Sequence, residues 1–114
     1  MPTLPPIIIT VIIANILFSF NGFKNPIFFN KYQFQIAKIK AGEQLRMWSS
    51  GFLHVDFYHL FVNMFSLYFF AEYVVYSIGD LKFLALYLTS LYVGNYLSYR
   101  YHYQQDNYTA VAAS

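Results

Sequence analysis

The sequence contains no cysteine, which excludes a disulfide framework, a thiolate metal site and a cysteine nucleophile. Charge is almost as scarce, since only 11% of the 114 residues are Asp, Glu, Lys or Arg. A water-soluble domain of this size leaves a large share of its surface exposed and needs far more polar cover than that. The formal net charge is only +2, so there is no basic surface of the kind nucleic acid requires, and nucleic acid is excluded as a partner. The opening Met-Pro-Thr-Leu-Pro-Pro has no positive n-region, and no small-residue cleavage site follows the first apolar run, so that run is read as a retained helix rather than a signal peptide. Internal repeats and low-complexity linkers are missing too. The chain is one domain or a piece of one.

What the sequence has in abundance is hydrophobic residues, at 58%, with twelve Tyr and thirteen Phe among them. They fall in long blocks instead of being dispersed at helix or strand period, which points to lipid as the solvent. The first block, about residues 7–23, follows Pro5 and Pro6 at positions where proline is tolerated at a helix start. Thr10, Asn15 and Ser19 are the interruptions within its apolar stretch from Ile7 to Phe20, and its length is near the minimum for crossing a bilayer. Two further spans are expected at about residues 57–78 and 81–99, joined by a tight turn at Gly79-Asp80 in which glycine supplies the positive φ. Ser90, Gly94 and Ser98 form a stripe of small residues suited to close helix packing. The final Ala110, Val111, Ala112, Ala113 and Ser114 suit the tightly packed start of a fourth helix. The fold class is therefore an all-α membrane protein, a helical bundle of three transmembrane helices plus the beginning of a fourth.

Residues 24–51 interleave Lys24, Lys31, Lys38, Lys40 and Arg46 with aromatic and aliphatic side chains. Such a segment lies in the headgroup region, with rings buried and ammonium groups reaching water, and we read it as a structured interfacial loop rather than a solvated connection. These five are the majority of the seven basic residues, so the positive-inside rule places this loop in the cytoplasm.

The polar groups of the second span are the most informative, because an unpartnered polar group in hydrocarbon costs several kcal/mol. His59 and Asn63 lie one turn apart on one helix face, about 6 Å along the axis. Asp56 and Ser66 extend that stripe, whereas His54 precedes the helix and falls off the face. The stripe serves either as a set of interhelical ties or as part of a reactive site. Zinc is disfavoured, since Leu60, Phe61 and Val62 separate His59 from Asn63 where a zinc helix has His-Glu-x-x-His. Two crossings separate the start of the second span from the end of the chain, which puts His59, Asn63 and Ser114 on the same side. A hydroxyl nucleophile and two oxyanion-binding side chains can meet there.

The stretch from Ser50 to Met64, with His54, His59 and Asn63 at these spacings, resembles the second transmembrane helix of the rhomboid family of intramembrane serine proteases. Tyr108-Thr-Ala-Val-Ala-Ala-Ser114 is similar to the approach to that family's Gly-x-Ser-Gly nucleophile at the head of the fourth helix, with Ala112 where the family has its first Gly. Val75 stands where the family often has a glutamate, and Glu72 lies a turn earlier. The resemblance covers nearly the whole chain and implies one partial rhomboid-like membrane domain over residues 1–114.

The resemblance implies that Ser114 is the nucleophile, that His59 and Asn63 help bind the oxyanion, and that His54 is structural, anchoring the start of the helix. The implied activity is cleavage of transmembrane protein substrates by acyl transfer, with no metal or organic cofactor, in a multi-pass protein of the cell membrane. A later helix supplies the family's base histidine. None of His54, His59 and His102 occupies that position, so the 114-residue chain alone is expected to be inactive. The resemblance also turns the 24–51 loop and the site outward, against the positive-inside expectation. The alternative function is a noncatalytic rhomboid-like protein that binds transmembrane partners through the polar stripe. A three-helix piece of a channel or transporter is a third reading.

Overall fold

A computed structural model describes residues 5–111. Ala112, Ala113 and Ser114, and with them the expected nucleophile, lie outside the described residues. Three long helices carry the fold: α1 (Pro6–Lys24), α5 (Phe57–Ile78) and α6 (Asp80–Tyr101). Between α1 and α5 the chain folds into α2 (Pro26–Tyr32), strand β1 (Phe34–Gln35), α3 (Ile36–Lys40), α4 (Arg46–Ser49) and a single 3-10 turn (Ser50–Phe52). A second strand, β2 (Thr109–Ala110), follows α6.

The helix ends follow local chemistry. Pro6 opens α1 in its first turn, where the missing N–H is no loss. Asn25 ends α1 and starts α2, its side chain accepting from the N–H groups of Ile27 and Phe28 at 3.0 and 3.3 Å. Gly79, at φ +89°, closes α5 by donating its N–H to the Val75 carbonyl and releases the chain directly into α6. The Gly79-Asp80 reversal is thus as tight as its sequence suggests.

Two apolar clusters hold the helices together. Ile8 and Val11 of α1 meet Ala71 and Val75 of α5 and Phe83 of α6, all buried, at the end of the bundle away from the 24–51 loop. Val75, where the resemblance implies a glutamate, is part of this apolar cluster. The second cluster joins Phe34, Ile36, Ile39 and Met47 of the loop to Tyr92 and Tyr99 of α6 and to Tyr108 and Ala110 beyond it.

Polar ties reinforce both layers. Asn15 of α1 donates to the Tyr87 hydroxyl of α6 at 3.0 Å, and Asn95 of α6 donates to the Met47 carbonyl at 2.7 Å and to Ser50 Oγ at 3.1 Å. Arg46 is buried; its Nη1 donates to the carbonyls of Asn30 and Gln33 at 2.8 Å each, satisfying the end of α2, while Nε donates to Glu43. The loop is therefore a folded unit.

Strand β1 pairs antiparallel with β2, Phe34 opposite Ala110 and Gln35 opposite Thr109. Lys40 Nζ bonds Asp106 at 3.0 Å and sits over the Tyr103 ring. These contacts bring the segment after α6 back onto the loop. They also correct one expectation: Ala110 is extended and paired, so the run of small residues does not begin as a helix there.

α1 and α5 are long and apolar enough to cross a membrane, with mean hydropathies of 1.9 and 1.3 over their best windows. On α5, Phe57, Phe61, Phe65 and Phe69 recur every four residues and are all more than half exposed, an arrangement suited to hydrocarbon or to further helices. At 22 residues, α6 is as long as α5 but more polar. Among the described residues, no helix packs closely on the small-residue stripe of α6. A side chain at Gly94 would meet nothing within 4 Å, and Ser90 and Gly94 line an open cleft with Gly51, Tyr87, Leu91 and Asn95.

Close packing of α6 occurs instead at Gly51, where an added Cβ would run into the Leu91 side chain. Gly51→Ala is expected to lower unfolding stability in detergent micelles by about 1–3 kcal/mol, the usual cost of overpacking. Gly94→Ala is expected to be neutral or slightly stabilising, because Ala is the better helix former. Equal stabilities for the Gly51→Ala protein and the wild type in denaturant titration would contradict this packing.

Candidate functional site

The polar residues at the head of α5 divide into two groups. Asp56 is the N-cap of the helix, its carboxylate accepting from the His59 N–H at 3.0 Å. The same oxygen lies 2.8 Å from His59 Nδ1. Asp56 therefore does not continue the helical stripe, as its spacing suggested. It closes the helix end and orients the His59 ring, which is partly exposed. The backbone N–H of His59, and after it the ring, hold the Asp56 carboxyl below its ordinary value.

Asn63 turns to a different partner. Its Nδ2 is 3.0 Å from Nε2 of His54, and Nδ1 of His54 is 2.9 Å from Ser19 Oγ on α1. Ser19 Oγ in turn donates to the Phe52 carbonyl at 3.0 Å. Ser19 and His54 are buried, at 0% and 1% exposure, and Asn63 is half-buried. His54 precedes α5, as its position in the sequence indicated, yet it reaches Asn63 across the helix start. One ring nitrogen faces Ser19 of α1 and the other Asn63 of α5.

A hydroxyl has a single hydrogen, and that of Ser19 points to the Phe52 carbonyl. With the Ser19 hydrogen on the Phe52 carbonyl, the matching arrangement puts a proton on His54 Nδ1 facing Ser19 Oγ and leaves Nε2 as the acceptor for Asn63. The ring is neutral and fully bonded. Burial pushes its pKa down from the ordinary 6.5, the nearby His59 adds to the effect, and the Phe52 carbonyl partly opposes it. No buried side-chain nitrogen or oxygen among the described residues lacks a partner.

The geometry sets a depth. Ser19 lies five residues before the end of α1, roughly 8 Å down the axis, and Asn63 seven residues into α5, roughly 10 Å. His59 and Asn63 lie on consecutive turns and use different partners, Asp56 and His54, so each ring or amide is fixed independently. The β1–β2 pairing returns the chain to the same end of the bundle by Ala110.

Sequence reasoning missed Ser19 as part of this group. The signal was its place as a polar interruption of an apolar run, one turn from Asn15, which is also buried and also bonded across helices. No group of three or more His, Cys, Asp or Glu among the described residues is arranged to hold a metal ion.

The depressed pKa of His54 has a consequence for stability. The folded protein resists protonation of His54 and the unfolded chain does not, so stability is full above about pH 6.5 and falls as pH drops below it, by at most about 1.4 kcal/mol per pH unit for one proton. Asp56 acts in a separate window, since its contribution is present above its ordinary 3.8 and is lost only as pH falls through a lower value. Unfolding titrations between pH 7.5 and about 5 should show the decline, and His54→Gln should remove it. A pH-independent wild type over this range would contradict a neutral, buried His54.

Comparison with known proteins adds an independent finding. The family model of the rhomboid domain matches residues 41–114, well over half of the chain and all of the region that holds His54, His59, Asn63 and Ser114. No curated protein and no solved structure matches the sequence. The match and the two long apolar helices lead to one conclusion: the chain is a membrane protein that belongs to the rhomboid family.

Proposed function

We propose that this protein acts as an intramembrane serine endopeptidase that cleaves transmembrane protein substrates. The observation that carries this reading is the family match over residues 41–114, which takes in every residue of the proposed site. Ser114 is the nucleophile in this reading. Its Oγ bonds to the scissile carbonyl carbon as its proton passes to a histidine base that the family carries on a later helix. The charge on the carbonyl oxygen is met by His59 and Asn63, and the C–N bond then breaks with the leaving amine taking that proton. Asn63 has two amide hydrogens and uses one on His54, which leaves the other for the oxyanion. Asp56 holds Nδ1 of His59 and so leaves Nε2 for the substrate side. His54 is structural. No metal or organic cofactor takes part.

The proposed architecture follows the same reading. α1, α5 and α6 are three membrane crossings within one rhomboid-like domain, residues 24–51 form an interfacial loop, and a fourth helix begins near Ser114. Lipid and a substrate helix are the partners. The loop and the site face outward in the cell membrane, against the positive-inside rule, since the rule is calibrated on short water-exposed loops and this one is folded.

A noncatalytic relative that binds transmembrane helices without cutting them is the second reading. Ala112 favours it, because it replaces the glycine of the nucleophile motif at a point where backbone and substrate approach closely.

The product of the native gene, reconstituted in liposomes with a fluorogenic transmembrane substrate, is expected to cleave it. Ser114→Ala should abolish cleavage, and Asn63→Ala should lower kcat by about 10²–10³-fold, the usual effect of losing an oxyanion donor. Cleavage that survives Ser114→Ala would sink the protease reading, and a substrate crosslinked but never cut would support the binding one. For orientation, Lys38→Cys should react with a membrane-impermeant thiol reagent in intact cells. Protection of that cysteine would place the loop inside.

A further inference from the structure

We propose that Ser19 of α1 is a positioning residue that fixes the Nδ1–H tautomer of His54 and thereby makes Asn63 present a hydrogen-bond donor, rather than an acceptor, at the head of α5. Its link to catalysis rests on the oxyanion role proposed for Asn63. The tautomer and amide orientation are inferred from the Ser19 hydrogen going to the Phe52 carbonyl and do not depend on the catalytic reading.

Nδ2 and Oδ1 of an asparagine amide exchange places when the group turns over, so the direction it presents depends on its neighbours. In this protein the neighbour is Nε2 of His54, at 3.0 Å. A bare Nε2 lone pair takes an N–H from the amide, and the second hydrogen of Nδ2 then points elsewhere as a donor. A protonated Nε2 demands Oδ1 instead, and the remaining lone pair of that oxygen points where the donor had been. An oxyanion is stabilised by the first arrangement and repelled by the second.

His54 by itself does not choose between them, because neutral histidine in water populates both tautomers. Ser19 makes the choice. With its only hydrogen given to the Phe52 carbonyl at 3.0 Å, Oγ faces Nδ1 at 2.9 Å as an acceptor and favours a proton there. Full burial of Ser19 and near-full burial of His54 keep water from substituting for either contact. A residue on the first helix thus sets the hydrogen-bonding sense of one on the fifth, through a single imidazole.

The test is nitrogen-15 NMR of the histidine-labelled chain in detergent micelles at neutral pH, with His54 assigned by comparison with His54→Gln. We expect protonated Nδ1 and bare Nε2 in the wild type, a shift toward protonated Nε2 in Ser19→Ala, and return to the wild-type pattern in Ser19→Thr, which keeps a hydroxyl. A wild-type spectrum with the proton on Nε2 overturns the proposal even if the Ser19→Ala protein does not fold, and so does an unchanged tautomer in a folded Ser19→Ala protein. In the cleavage assay with the native gene product, Ser19→Ala should lower kcat at least tenfold with little change in KM, and Ser19→Thr should restore it. A changed tautomer with unchanged kcat would overturn the link to catalysis. If the wild type cleaves nothing, the protease reading falls, while the spectrum still decides the assignment of Ser19.

Discussion

A polar side chain at membrane depth must find its partner within the protein, because hydrocarbon offers none. That constraint accounts for the way the first helix is tied to the rest of the fold. Asn15 and Ser19 interrupt an otherwise apolar segment, both are buried, and each is satisfied by a group on another element: Asn15 by Tyr87 of α6, Ser19 by His54 and the Phe52 carbonyl just before α5. Apolar packing of Ile8 and Val11 against Ala71, Val75 and Phe83 brings the helices together at one end. Hydrocarbon contacts alone do not specify a unique arrangement in lipid, where the tails are as apolar as the side chains. The polar ties supply register at the other end, where the candidate site lies.

The folded loop between α1 and α5 belongs to the same design. Buried Arg46 satisfies the carbonyl end of α2, Ser49 donates to the Tyr32 carbonyl, and Asn95 reaches back from α6 to Met47 and Ser50. The loop is held against α6 and, through β1 and β2, against the segment that leads toward Ser114. The result is a folded segment held on α6, at the end of the bundle where His59 and Asn63 are each held by a partner of their own. The proposed oxyanion role would benefit from such bracing, since donors already in place need not reorganise as charge develops.

Much of this was legible in the sequence, and the physical reason is periodicity. Long apolar runs marked α1 and α5 to within a residue or so, Gly79 marked the reversal, and the spacing of His59 and Asn63 placed them on one face. The illegible parts are all non-local. The two-residue strands at Phe34–Gln35 and Thr109–Ala110 carry no pattern that a sequence reading can detect. Asp56 fell in step with the helical stripe just ahead of the expected span, and its part as the N-cap that holds the His59 N–H came from the structure. Ser19 was visible as an anomaly, but its partners lie 33 and 35 residues away, and nothing local points to them. The tight contact of α6, Leu91 against Gly51, is equally non-local.

The central claim is that Ser19, His54 and Asn63 act as one unit joining α1 to α5. A double-mutant cycle of Ser19→Ala and Asn63→Ala, read as unfolding free energies in detergent micelles, tests it most directly because the two side chains are each bonded to His54 on opposite sides. Residues sharing a hydrogen-bond network are expected to couple by about 0.5–3 kcal/mol, so the double variant should depart from the sum of the single ones by that amount. Strict additivity would mean that His54 does not transmit between the two helices, and the account would fail.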